Sequence, residues 1–168
     1  MLEHLWAPWR SHYVAGGNPT GAVPGEGTLF ERILAAPEPD EETGIVWRGK
    51  TCFAVLNAHP YGSGHVLVAP NRAAADLADL SKTESDELWD AVRATVAAIR
   101  RAYHPHGVNV GINLGAAAGA GVPDHLHVHC LPRWRGDTNF MTATAETRVL
   151  PESLSESWSK LRNAWEAG

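Results

Sequence analysis

An α+β fold is predicted from three observations. Short apolar runs bounded by glycine and proline are interleaved with stretches whose apolar residues recur at helical spacing. The order of these elements is mixed, so the sheet reads as mostly antiparallel, with the helices kept to one side. The chain has 168 residues, 44% apolar and 20% charged, enough for one domain with a core of its own.

The elements follow in order. Residues 1–27 form an N-terminal arm carrying Trp6, Trp9 and Tyr13, ending in the Gly/Pro-rich loop "AGGNPTGAVPGEG" (15–27). "TLFERILAAPE" (28–38) predicts a short helix with Leu29, Ile33 and Ala36 on one face and Pro37 as its stop. "GIVWRG" (44–49) and "CFAVLNAHP" (52–60) predict a hairpin turning at Gly49-Lys50, and "GHVLVAP" (64–70) a buried strand. Ser81 and Glu84 make a capping box for the longest helix, over 83–102, with an apolar stripe of Leu88, Val92, Thr95, Val96 and Ile99. "GVNVGINLG" (107–115) predicts a strand, "GAAAGAG" (115–121) a loop of small residues, and "DHLHVHCLPRW" a strand stopped near Pro132. After Pro151 comes an amphipathic helix with Leu154, Trp158, Leu161 and Trp165. The main domain is expected over 28–141, with a C-terminal extension over 142–168.

Charge and cysteine content exclude several classes. A net charge of −5 and a pI near 6.0 argue against nucleic-acid binding through a general positive field. The two cysteines, Cys52 and Cys130, form no CxxC pattern, so no disulfide framework is expected and a reducing cytoplasm is the simpler compartment. The N-terminus has no apolar signal-peptide core, and no apolar run approaches the ~20 residues of a membrane span.

The chemistry concentrates in "GVPDHLHVHCLPRW". Residues two apart on a strand share a face, so His125, His127 and His129 form a row, while Asp124, Leu126, Val128 and Cys130 take the other face. Three of those four are apolar, so that face packs. Three histidines in register are hard to explain as packing alone. A metal site is a second reading, but i and i+4 on a strand lie ~13 Å apart, and no CxxC pair or carboxylate cluster offers further ligands. The third reading is covalent catalysis at phosphorus. A neutral imidazole is a nucleophile near neutral pH, and its neighbours donate protons or hydrogen bonds to phosphoryl oxygens. The loop "NLGAAAGAG" before the row supports the third reading, because small residues let backbone N–H groups approach an anion.

His125-Leu-His127-Val-His129-Cys-Leu resembles the signature of the histidine triad superfamily. "NAHPYGSGHVLVAP", "INLGAAAGAG" and "TLFERIL" agree with other family segments over roughly 28–135. "LWAPWRSHYV", "PRWRGDTNFM" and "VLPESL" are similar to extensions of bacterial relatives of diadenosine tetraphosphate phosphorylase. The resemblance implies the family's α+β fold, a long helix on a mostly antiparallel sheet with a short N-terminal helix, and a homodimer with the N-terminal arm or the C-terminal helix packed across its two-fold axis. It implies an enzyme acting at the α-phosphate of a (di)nucleoside polyphosphate, with inorganic phosphate (phosphorylase) or water (hydrolase or phosphoramidase) as acceptor. A nucleotide-binding module without turnover and a metalloprotein are the competing classes.

Carried over by residue, the resemblance makes His127 the nucleophile, with His125 supporting it and His129 on the phosphate and bridging oxygen. His65 would sit beside His125. Asn57 matches a ribose contact, Asn113, Gly119 and Gly121 the phosphate loop, and Phe30 and Ile33 the base pocket. After the row, Arg133, Trp134 and Arg135 have two readings each: reach to distal phosphates or the second nucleoside, or, for the arginines, a solvated rim and, for Trp134, packing or a dimer contact. Gly121 stands where many relatives have Gln or Ser. Thr28 and Glu31 stand where zinc-binding relatives have cysteines, so no metal and no cofactor are expected.

Overall fold

A computed structural model describes residues 26–137 and 150–168. The N-terminal arm and the boundary expected at residue 141 lie outside the described residues.

Helix α1 (Leu29–Ala35) starts at Thr28, whose side chain and that of Glu31 form a reciprocal capping box. A helical turn, α2 (Asp40–Thr43), ends on Gly44 in the left-handed region and leads into β1 (Ile45–Arg48). β2 (Cys52–Leu56) returns antiparallel to β1, and Glu87 accepts the Lys50 and Thr51 N–H groups of the turn at 2.8 Å each. β3 (Val66–Pro70) follows. The long helix α3 (Lys82–Tyr103) begins with the Ser81–Glu84 capping box anticipated from sequence. β4 (Gly107–Ile112), β5 (Val128–Arg133) and α4 (Leu154–Glu166) complete the fold.

The strands form one antiparallel sheet in the order β1-β2-β3-β5-β4. On one face, Val46, Ala54, Leu56, Val68, Val128 and Cys130 pack against Leu88, Val92 and Ile99 of α3 and Leu161 of α4. The other face carries Ile45, Phe53, Val55, Leu67 and Ala69, and α1 covers it. Helices on one side only is therefore corrected: α3 and α4 share a face and α1 takes the opposite one. The face of α1 also differs from expectation. Phe30 is its buried residue, with Ile33 and Leu34 beside it, because the i, i+3, i+4 set that meets Phe53 outweighs the weaker Leu29/Ile33/Ala36 stripe.

The two edges of the sheet are treated differently. At β1, Trp158 Nε1 donates to the Ile45 carbonyl at 2.8 Å and Arg162 donates to the Val46 carbonyl at 2.9 Å. The Trp47 ring stacks on Trp165, centroids 5.3 Å apart. Helix α4 thus closes that edge. Outer strand β4 packs Val108 and Ile112 on the helix-side core and leaves the rest exposed, Val110 at 45%. No helix among the described residues is long and apolar enough to cross a membrane.

Candidate active site

The row of histidines begins before the strand. β5 starts at Val128, and His125–His127 are an extended lead-in held by the Leu126 N–H, which donates to the Ala74 carbonyl at 2.6 Å. The alternation survives: Leu126, Val128 and Cys130 enter the helix-side core, while the histidine rings lie on the face of α1. The strand ends at Arg133, next to Pro132 as expected, and the proline is tolerated because β3 no longer pairs beyond Cys130 while β4 continues alongside.

His65, His125 and His127 are buried, and His129 is half-buried. His127 and His129 meet edge to face with centroids 5.0 Å apart. His65 does not sit beside His125. Its Nε2 lies 3.0 Å from His129 Nδ1. The register explains this: Val66 opposes Cys130 and Leu67 opposes His129, so His65 falls diagonally across from His129. His125 then lies past the other end of β3, where its Nε2 meets the Pro70 carbonyl at 2.8 Å.

Partner types fix the tautomers of the neutral rings, since a carbonyl only accepts and a backbone N–H only donates. His127 Nδ1 faces the His125 carbonyl at 2.9 Å, so Nδ1 carries the proton and Nε2 keeps its lone pair. The Tyr61 N–H donates to His65 Nδ1 at 3.1 Å. His65 therefore donates from Nε2 to His129 Nδ1, which puts the His129 proton on Nε2. A nucleophilic nitrogen and a hydrogen-bond donor are thus assembled on adjacent rings. Burial pushes the His127 pKa below the ordinary imidazole value, opposed by its bond to the His125 carbonyl. His125 is also lowered, first by burial, with the Pro70 carbonyl and Glu31 acting the other way.

The remaining expected residues divide. Asn57 follows β2, with Nδ2 3.3 Å from His65 Nδ1, so it belongs to the cluster. Phe30 abuts His125 and His127, with centroids 5.2 and 5.1 Å away. Ile33 packs into the α1-side core. Asn113 Nδ2 reaches the Gly119 carbonyl at 3.5 Å, tying the small-residue loop closed before Gly121. Gly119 is left-handed (φ +92°), and its N–H donates inward to the Ala116 carbonyl. Arg133 does not extend freely: it pairs with Asp137 at 2.6 Å and donates to Asn109 Oδ1 at 2.7 Å. Trp134 meets the Tyr103 ring edge on. Tyr61, which stacks on His129, was not marked by the sequence motif. His59, His104 and His106 are exposed and stand apart from the row.

The family model of the HIT domain matches residues 38–136, more than half of the chain. The chain belongs to the HIT family. It is 38% identical to an AP-4-A phosphorylase of Mycobacterium tuberculosis over 98% of its own length and 85% of that protein. It is 39% identical to an asymmetrical bis(5'-nucleosyl)-tetraphosphatase of Schizosaccharomyces pombe, over 55% of this chain and 50% of that one. The fold is similar to that of a zinc-bound histidine triad family protein from Mycobacterium smegmatis, with a TM-score of 0.67, 27% identity and coverage of 83% and 94% of the two chains. As a HIT-family member this chain offers a poor zinc site at α1. Thr28 supplies a neutral hydroxyl, and Glu31 accepts from Thr28 N–H at 2.8 Å and Ala73 N–H at 3.0 Å. Zinc sites of this kind favour thiolates and imidazoles. Native mass spectrometry of protein purified without added metal should show the bare chain. One zinc per chain that survives chelation would contradict this.

Proposed function

We propose that this chain transfers a nucleotidyl group from a dinucleoside polyphosphate, in the manner of a diadenosine tetraphosphate phosphorylase. The observation that carries the proposal is the orientation of His127, whose Nδ1–H is held by a carbonyl so that Nε2 is the free nucleophile beside the His129 donor. The 38% identity to the mycobacterial phosphorylase over nearly the whole chain supports the same reading.

His127 Nε2 attacks the α-phosphorus and forms an N–P bond as the bond from that phosphorus to the bridging oxygen breaks. From diadenosine tetraphosphate the leaving group is ATP, and His129 Nε2–H donates to the departing oxygen. The His125 carbonyl stabilises the positive charge left on the His127 ring. Inorganic phosphate then attacks the adduct and releases ADP, restoring the imidazole. His65 and Asn57 hold His129 in register, Phe30 and Ile33 wall the base, and the 113–121 loop shapes the phosphate site. No resident cofactor enters this scheme.

The test is incubation with diadenosine tetraphosphate, with and without phosphate. ADP should appear only when phosphate is present, and without it ATP release should stop at about one equivalent per site, the burst that a covalent intermediate leaves. AMP formation in its absence would make the chain a hydrolase, and no turnover would leave a binding module.

We also propose a homodimer, in which two copies pair their β4 strands about a two-fold axis. Trp158, Leu161 and Trp165 of α4 pack on its own sheet and helix, while the β4 edge, with Val110 and the following Leu114 exposed, offers a surface to a second copy. Sedimentation at micromolar concentration should give a dimer, and Val110→Lys should shift it toward monomer. A monodisperse monomer for the parent chain would refute the proposal.

A further inference from the structure

Thr28 and Glu31 precede the segment matched by the family model, yet they touch the first histidine of the row. Thr28 Oγ1 lies 2.6 Å from His125 Nδ1 and 3.0 Å from Glu31 Oε2. The other nitrogen of that ring faces the Pro70 carbonyl at 2.8 Å. His125 therefore has an oxygen at each ring nitrogen, and one of these oxygens leads on to a carboxylate. His127 has one such partner, the His125 carbonyl at 2.9 Å.

The Thr28 hydroxyl has one proton and two acceptors within reach. While His125 is neutral, the hydroxyl donates into Nδ1, and its contact with Glu31 Oε2 is unsatisfied. When His125 takes up a proton, Nδ1–H donates to Thr28, Thr28 donates to Glu31, and each contact in the chain becomes a hydrogen bond. One proton is gained from solvent and the hydroxyl keeps its own. Glu31 is held ionised, because the backbone N–H groups of Thr28 and Ala73 donate to it in either state and lower its pKa, and the Thr28 hydroxyl lowers it further when it turns to Glu31.

We propose that Glu31 and Thr28 are positioning residues that make His125 the place where the first proton binds in the His125–His127 pair, so that His127 Nε2 stays unprotonated as the pH falls. The titratable groups acting on the His125 ring are Glu31 from α1, which favours the cation, and His127, which opposes it; β3 contributes the neutral Pro70 carbonyl. Once His125 is charged, a second proton on the adjacent His127 meets a like charge, so the two protons are taken up in sequence. The inference adds a regulator to the site proposed above and rests on His127 being the nucleophile only for its bearing on rate. The protonation order itself is a property of the free protein.

The test is site-resolved NMR titration of the two ring signals in the ligand-free chain. His125 should titrate at higher pH than His127 in the parent. Glu31→Gln removes the counter-charge and should narrow that gap by about one pH unit, the lower end of what a nearby opposite charge does to a pKa. Thr28→Val should narrow it as well, and Thr28→Ser, which keeps the hydroxyl, should restore the parent gap. Amide shifts of residues 29–35 report whether α1 remains folded in each variant. His127 titrating first in the parent overturns the proposal, and so does an unchanged gap in both Glu31→Gln and Thr28→Val with α1 intact. If Glu31→Gln unfolds α1, Thr28→Val against Thr28→Ser decides alone. In an active enzyme the acid limb of kcat/KM should move to higher pH in Glu31→Gln. Absence of turnover would defeat the functional reading and leave the titration order standing or falling by itself.

Discussion

His127→Ala is expected to lose turnover on the order of 10⁴–10⁶-fold, the scale on which removal of a nucleophile or its partner base acts in covalent catalysis. The ring is buried, its Nδ1–H is engaged by the His125 carbonyl, and the neighbouring rings are committed differently: His129 Nδ1 accepts from His65 and His125 directs its Nε2 into the Pro70 carbonyl. Nucleotide binding should persist, because an alanine there removes the attacking atom but leaves Asn57, Phe30 and the 113–121 loop in place. Quenched mass spectrometry of the parent should trap a nucleotidyl adduct on His127, and the variant should show none. Turnover within about tenfold of the parent, far too small a loss for a missing nucleophile, would mean that the covalent route is wrong. The pH profile follows from the same burial. The lowered pKa of His127 keeps Nε2 unprotonated as pH falls through the ordinary imidazole range, so kcat/KM should hold through pH 6.5 and decline only below it. Folding stability has the matching sign: the unfolded chain binds protons near 6.5 that the buried rings resist. Their contribution is complete above that value and is lost as pH falls toward the lowered native pKa.

His129→Ala should cost less, about 10²–10³-fold in kcat, the usual effect of deleting one donor that meets developing charge. The loss should fall on kcat rather than KM, because the His129 Nε2–H is needed most as negative charge builds on the departing oxygen. A good leaving group should mask the defect. A substrate whose leaving oxygen is already a weak base should lose far less rate than one whose leaving oxygen needs a proton. Equal losses on both kinds of substrate would show that His129 holds structure rather than supporting departure. His65→Gln should resemble a weaker His129 change, since His65 touches His129 through the 3.0 Å bond to its Nδ1.

The parts legible in the sequence were those governed by local chemistry. Ser81 and Glu84 are three residues apart, so their capping box could be read directly, and the alternation of His125, His127 and His129 with Leu126 and Val128 gave the two faces of that segment. What escaped depended on distant chain segments. His65 was placed beside His125, but its true neighbour is set by the β3–β5 register, which no local pattern encodes. Thr28 and His125 are 97 positions apart, and nothing in "TLFERIL" alone announces a bond between them. The buried face of α1 was misjudged for the same reason: Phe30 turns inward because Phe53 is there to meet it. The pairing of Arg133, a candidate phosphate contact, with Asp137 is by contrast local, only four residues along the chain.

Helix α4 covers the carbonyls of β1 with the Trp158 indole and the Arg162 guanidinium, while the opposite margin of the sheet is left with β4 outermost. Among the described residues, each molecule thus has one end of its sheet sealed and one end able to extend. Two molecules that join through their extendable ends present only sealed ends outward. In the proposed dimer the pairing would therefore stop at two, with the C-terminal helix of each copy guarding the outer margins against fibrous growth.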